Sequence, residues 1–533
     1  MTESNNQISI GMSEKKFYIT TALPYMNAHL HVGHAYAFVF ADILARYHRS
    51  IGDKTFFLTG SDEHGDKIVR AAQNEGLSPQ AFVNTNVEKF KNLLQRLSVT
   101  NDVFIRTSDQ EQHWPGAQKL WLALEEAGDI YKGVYKGLYC VGCEAFITEK
   151  ELVNGKCMHH DTVPEYIEEE NYFFRLSKYG TEIKRLLESG EFKITPRSRA
   201  NEIISLISSL GGETDLGDVS ISRPERAIPW GIPVPNDPAQ LMYVWCDALS
   251  NYISALGYGS SNEENFKTFW PADIQVVGKD IVRFHALLWP AILLSANLPL
   301  PHELFVHGFV TSGGRKMSKS IGNILSTEDF LDEYGTDAFR YYFTREISPT
   351  EDGDLTNEKF KEVYNANLAN GLGNLVSRTL KMAEQYFGGV VSGDSMRVPP
   401  VRTKIVAVET FGNIEGVNIP YLVTNDILPR YHKHMSANEV NRAADVAWEL
   451  IGYLDQFIAD YEPFKLVKTD KDSTENIIWG LLYGLREISE MLDPMMPDTA
   501  KRISLLVGAT ATNGDEIVFN TKTLAEPLFM RKD

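Results

Sequence analysis

Between Lys15 and Tyr25 the run KKFYITTALPY is β-branched and aromatic through most of its length and ends in a proline turn, which predicts a buried strand. Past it the period changes. Tyr36, Val39, Phe40, Ile43, Leu44 and Tyr47 recur at intervals of three and four, which marks one face of a helix. TFFLTG (Thr55 to Gly60) then predicts a second strand. Strand, crossover helix and strand open an α/β domain with a parallel sheet.

From about residue 120 to 230 this rhythm breaks into irregular Gly, Pro and Ser content, and DIQVVGKD (Asp273 to Asp280) resumes the buried-strand pattern. The middle therefore reads as an insertion. From about 356 the pattern is helical. Leu368, Leu372, Leu375, Thr379 and Met382 form a core stripe, with Asn367, Asn370, Asn374, Arg378 and Lys381 as a polar stripe on the same helix. A Gly- and Pro-containing stretch from Gly388 to about Pro429 interrupts the helices without a readable role.

Composition narrows the picture without redirecting it. At 533 residues the chain exceeds one ordinary core, so two or three domains are expected. No uninterrupted apolar stretch reaches the roughly 18 residues of a membrane span. The opening MTESNNQISIGMSEK is polar and free of arginine, which argues against a secretory signal or transit peptide and for a cytoplasmic protein. A net charge of -19 disfavours nucleic-acid binding by bulk electrostatics. Local recognition survives, since charges beyond about 8 Å are largely screened at physiological salt.

Three motifs carry chemistry. In HVGH, His31 and His34 stand three apart at a helix start, where free N–H groups and the macrodipole favour anions, and Gly33 clears room for a flat ring. Alone, the pair also suits a metal site or a structural role. In HGFVTSGGRKMSKSIGN (His307 to Asn323), Arg315, Lys316 and Lys319 follow Gly313 and Gly314; this is either a solvated basic turn or an anion grip. Cys140, Cys143, Cys157 and His160 give C-x2-C-x13-C-x2-H, the spacing of a closed tetrahedral structural zinc site. His159 is the competing ligand; His160 repeats the x2 spacing of the first knuckle.

HVGH together with KMSKS resembles the paired signatures of class I aminoacyl-tRNA synthetases. TALPYMNAHLHVGH, GSDEHG, YVWCDALSNY, GKDIVRFHALLWP and the KMSKS block are similar to those of the methionyl-tRNA synthetase family, single zinc-knuckle type. The likeness runs from about residue 16 to the C-terminus and weakens around 388 to 430. It implies a Rossmann-like parallel-sheet catalytic domain (1–119 and 231–325), interrupted by a zinc-binding connective insertion (120–230). A linker (326–358) and a C-terminal α-helical bundle that binds the anticodon (359–533) would follow.

The activity it implies is ATP-dependent activation of L-methionine, with Mg2+, and transfer to initiator and elongator tRNA(Met). The resemblance assigns phosphate contacts to His31, His34, Lys316 and Lys319. Gly33, Gly278, Asp280, His307, Gly308 and Met317 complete the ATP site. Asp62 takes the methionine ammonium. Leu23, Tyr25, Trp245, Ala248, Tyr252, Ile281, His285 and Trp289 form the side-chain pocket, and Asn374, Arg378 and Phe464 read the anticodon. Phe464 stands where the family often has tryptophan, Ala28 where it usually has glycine, and Leu249 where some members have proline. The chain ends in PLFMRKD, similar to the tail of shorter members, so a monomer is expected.

Two other readings compete. One is a class I synthetase for leucine, isoleucine, valine or cysteine; the first three families carry a large editing insertion, but only about 250 residues separate GSDEHG from KMSKS. A non-catalytic RNA-binding module would not need both histidines and both lysines.

Overall fold

A computed structural model describes residues 15–27, 30–142, 145–147, 149, 152–158, 162–209, 217–317, 323, 325–402, 417–511 and 517–533. The chain divides into two compact units, one ending at Gly308 and the other starting at Phe309.

The first unit is built on six parallel strands, numbered here within this sheet alone. They are β1 (Lys16–Thr21), β2 (Lys54–Ser61), β3 (Val103–Arg106), β4 (Lys193–Thr195), β5 (Ile274–Gly278) and β6 (Glu303–His307), in the order β3-β2-β1-β5-β6-β4. Parallel strands covered on both faces need continuous burial rather than alternation, and Phe17 to Thr21 are all buried. The crossover helix Val32–Ser50 turns Tyr36, Val39, Phe40, Ile43, Leu44 and Tyr47 inward, as their period requires. Its last turn carries Arg49, a cation suited to the negative end of the macrodipole. Strand order reverses between β1 and β5, so a crevice opens at their carboxyl ends.

Not all of 120–230 is an insertion, because β4 lies within it and pairs with β6, Glu303 to Phe305 facing Lys193 to Thr195. The same stretch also builds a separate antiparallel sheet from Val219–Ser220, Glu165–Phe174, Ile130–Cys140 and Ala145–Ile147, and two helices, Gly180–Ser189 and Arg197–Ser209.

The second unit opens with a small sheet. Val310–Ser312 pairs antiparallel with Arg315–Lys316 and parallel with Gly353–Asp354. Helices then dominate: Val440–Tyr461 packs on Leu428–Ser436 and on Lys471–Leu492, which packs on Pro497–Val507. Leu368, Leu372, Leu375, Thr379 and Met382 are buried as one stripe, through a π-helical stretch at Tyr364–Gly373 that runs into helix Asn374–Phe387. The stretch after Gly388 supplies Val390–Val391, which pairs with Ile517–Asn520; residues 403–416 lie outside the described part.

Candidate active site

The carboxyl ends of β1, β2, β5 and β6 gather the residues singled out in the sequence. Past the end of β1, the backbone still runs beside the chain leaving β2. Asp62 donates its amide to the Pro24 carbonyl at 3.0 Å, Met26 donates to the Asp62 carbonyl at 3.0 Å, and Tyr25 and Asp62 form one parallel bridge. Asp62 is buried there.

His31 caps the helix Val32–Ser50. Its Nδ1 accepts from the Gly33 amide at 3.1 Å, while the His31 amide donates to His34 Nδ1 at 3.3 Å, a reciprocal capping box built from two imidazoles. An Nδ1 that accepts leaves the ring proton of a neutral histidine on Nε2. Both rings are thus set as Nε2 donors. Burial first, then the proximity of His31 and His307, lowers the His34 pKa to about 3, so it binds as a neutral imidazole. Gly33 has a physical reason: a Cβ there would lie 3.0 Å from His31 Cε1.

At the ends of β5 and β6 the geometry is similarly tight. A Cβ on Gly278 would lie 2.6 Å from Asp280 Oδ1 and 3.7 Å from His307 Nε2, so glycine lets these groups converge. His307 donates Nδ1–H to the Gly308 carbonyl at 2.8 Å, and its ring meets Tyr36 edge-on at 5.4 Å. Burial lowers its pKa, against the Gly308 bond and the nearby Asp280.

An aromatic pocket adjoins Asp62. Trp245 stacks on Phe284 at 3.8 Å and meets Tyr25 edge-on at 6.3 Å; Tyr252 lies 5.9 Å from Trp289. Trp245, Ala248 and Tyr252 share one face of helix Val244–Ser254 at spacings of three and four. Tyr252 and His285 are hydrogen-bonded at 2.8 Å, and burial lowers the His285 pKa to about 4. His285 sits in a π-helical turn, Phe284–Leu288, a local widening found often at functional sites. Leu23 and Ile281 pack against the same core, in which Trp289 is fully buried. Burial raises the Tyr252 pKa, and the Asp62 carboxylate adds to the rise, an electrostatic link between the pocket wall and the acid.

The family model described as tRNA synthetases class I (M) matches residues 17–159 and 147–380. A methionine--tRNA ligase of Caldanaerobacter subterraneus is 41% identical over 93% of this chain and 74% of its own length. One from Rhizobium meliloti is 38% identical over 94% of this chain and 93% of its own. The solved Mycobacterium tuberculosis methionyl-tRNA synthetase in complex with methionyl-adenylate has a TM-score of 0.87 at 34% identity, covering 97% of this chain and 100% of that one. The chain belongs to the methionyl-tRNA synthetase family.

Other family positions fall in the second unit. Lys316 closes a hairpin whose turn is Gly313 and Gly314, both at positive φ (61° and 71°), and the Gly314 amide donates to Asp354 Oδ1 at 2.8 Å. The two glycines are thus turn-formers before they are sources of freedom. Met317 is half-buried. Asn374 is exposed, Arg378 reaches Asp455 at 3.3 Å, and Phe464 is 43% exposed after the left-handed Glu462.

Lys319, Cys143, His160, His159 and Ala28 lie outside the described residues, as does the side chain of Lys316. Cys140 and Cys157 are described, and both are buried in one small cluster with Ile147. Among the described residues no group of three or more His, Cys, Asp and Glu side chains gathers as for a metal. Leu249, at the position where some members of the methionyl-tRNA synthetase family have proline, is buried inside its helix.

Sequence reasoning passed over Glu63, His64, His113 and Asp247, all buried next to the pocket. The signal available was the charge cluster inside GSDEHG and the lone acid in YVWCDAL.

Proposed function

We propose that this chain activates L-methionine with ATP and esterifies it to the 3′ end of initiator and elongator tRNA(Met). A methionine carboxylate oxygen attacks the α-phosphorus, the bond to the bridging oxygen breaks, and pyrophosphate leaves. The 3′-terminal hydroxyl of tRNA then attacks the adenylate carbonyl carbon and releases AMP. No covalent bond to the protein is needed, so its work is positioning and stabilising charge.

The observation that carries this reading is the Tyr25–Asp62 bridge, which prolongs the β1–β2 pairing at the carboxyl end of the sheet, together with the imidazole-capped helix N-terminus that follows β1. Asp62 offers a carboxylate to the substrate ammonium. Leu23, Tyr25, Trp245, Ala248, Tyr252, Ile281, His285 and Trp289 offer aromatic and apolar walls, which suit a polarizable thioether. His31 and His34 present Nε2–H to phosphate oxygens; Gly33, Gly278, Asp280, His307, Gly308 and Met317 border the nucleotide. Lys316 and Lys319 take the charge of the departing pyrophosphate. Asn374, Arg378 and Phe464 read the single-stranded anticodon by hydrogen bonding and stacking.

Zinc is proposed at Cys140, Cys143, Cys157 and His160. Cys140 and Cys157 fit that role, since they share one buried cluster on adjoining hairpins and Cys140 Sγ lies 3.9 Å from Thr162 Oγ1, the residue whose carbonyl receives the Cys157 amide at 2.8 Å. The metal would supply a closed structural crosslink there. The division into catalytic halves at 1–119 and 231–325, an insertion within 120–230 from which β4 joins the catalytic sheet, a linker at 326–358 and an anticodon domain at 359–533 belongs to the same proposal. So do a monomeric state and a cytoplasmic location; no helix among the described residues is long and apolar enough to cross a membrane.

The deciding experiment is amino-acid-dependent ATP–pyrophosphate exchange with methionine, leucine and cysteine, followed by charging of both tRNA(Met) species. Exchange with leucine or cysteine in preference to methionine would overturn the reading.

A further inference from the structure

GSDEHG (Gly60 to Gly65) carries three titratable side chains in succession, and only Asp62 belongs to the pocket proposed above. Its two neighbours are committed elsewhere. The Glu63 carboxylate is fully buried and accepts from Arg106 Nε at 2.7 Å and Nη2 at 2.8 Å, in parallel, and from Ser61 Oγ and Ser108 Oγ. Its amide donates to Thr107 Oγ1 at 2.9 Å. Beneath it the backbones of β2 and β3 touch: a Cβ on Gly60 would lie 2.0 Å from the Ile105 carbonyl oxygen.

On the other side His64 Nδ1 lies 2.6 Å from Asp247 Oδ2. The second oxygen of Asp247 lies 2.7 Å from His113 Nε2, and His113 Nδ1 lies 2.8 Å from Ser254 Oγ. Asp247 and His113 are fully buried and His64 nearly so. Asp247 stands between Trp245 and Ala248 on the pocket helix, and Ser254 lies on the same helix beyond Tyr252. Burial pushes the Asp247 pKa up, and the two imidazoles more than reverse this.

Buried ion pairs contribute little net stability, because desolvation offsets most of their attraction. What they give is fixed geometry. Two such clusters on consecutive residues leave Asp62 with no slack in the chain on its C-terminal side. We propose that Glu63 and Asp247 are positioning residues for the Asp62 carboxylate. The Glu63–Arg106 pair ties it to β3, and His64–Asp247–His113 ties it to the helix bearing Trp245, Ala248 and Tyr252. The distance between the ammonium-binding group and the thioether walls is thereby set. This rests on the methionine-pocket reading given above.

The test uses the full chain with Asp247→Asn and Glu63→Gln. Methionine-dependent pyrophosphate exchange gives KM for methionine and for ATP. Tryptophan fluorescence gives the affinity for methionine and for 4-(methylthio)butanoate, which lacks the amino group. In each variant methionine affinity falls at least tenfold, while the deaminated analogue and the KM for ATP stay within twofold of wild type. Equal losses for methionine and analogue, or unchanged methionine affinity, would overturn the inference. If Asp247→Asn does not fold, Glu63→Gln decides; if neither folds, the clusters serve the fold alone and the inference fails. A wild-type chain without methionine-dependent exchange instead removes the reading beneath it, and the inference with it.

Discussion

Tyr252 donates its hydroxyl proton to His285 Nε2 across 2.8 Å, because His285 Nδ1–H is spent on the Ile281 carbonyl at 3.1 Å. Tyr252→Phe removes that donor and leaves a buried nitrogen unsatisfied, a cost of about 1–3 kcal/mol. That cost falls on the folded chain with or without methionine, so the variant is expected to lose about 1–3 kcal/mol of folding stability. Denaturant unfolding of the variant beside wild type checks it.

Buried neutral histidines also set an acid limit. His285 titrates near 4 in the folded chain and His34 near 3, both lowered chiefly by burial from an ordinary value of 6.5. Between the folded and unfolded values the unfolded chain binds more protons, so their stabilising effect is complete above pH 6.5 and is lost as pH falls towards the folded values. His285 alone accounts for on the order of 3 kcal/mol over that window. Thermal unfolding should show a Tm that falls as the pH is lowered from 7 to 4, with a shallower slope in His285→Asn.

Lys319→Ala is expected to slow adenylate formation at least tenfold, about 1.4 kcal/mol of barrier, through loss of a cation on the leaving pyrophosphate. The expectation rests on the KMSKS sequence. Unchanged exchange kinetics would remove Lys319 from the site.

Phe464 is 43% exposed, and Lys465 Nζ lies 6.0 Å from its ring centre. Base stacking on an aromatic ring is worth about 1–3 kcal/mol. Phe464→Ala should therefore raise the tRNA KM roughly tenfold without altering pyrophosphate exchange, and Phe464→Trp should lower it below wild type. Charging assays with anticodon-mutant tRNA read both.

Protein purified without chelator should carry about one zinc per chain, and Cys140→Ser should release it while the insertion loses protease resistance. Metal analysis alongside limited proteolysis decides this.

The central strands and the first crossover helix were legible because burial on both faces of a parallel sheet leaves an unbroken apolar run, and a helix repeats its apolar positions. β4 was not, since Ile194 is its single apolar residue and its place is fixed by pairing with β6. Val390–Val391 is likewise too short to display a period. Within the site, motif residues could be named from sequence, but His64 and Asp247 are 183 positions apart, and only folding makes them partners. The imidazole capping box was equally hidden, because which ring nitrogen faces an amide depends on rotamers.

The wide turn at Phe284–Leu288 winds more residues per revolution than the helix Trp289–Ser295 that continues it. Deleting one residue there would let the run relax into ordinary winding with the helix beyond it facing nearly the same way, because the wide turn holds one residue more per revolution. The change would fall on the turn itself, where His285 would lose its place against Tyr252. Substitutions can pass through this segment, but its length cannot drift.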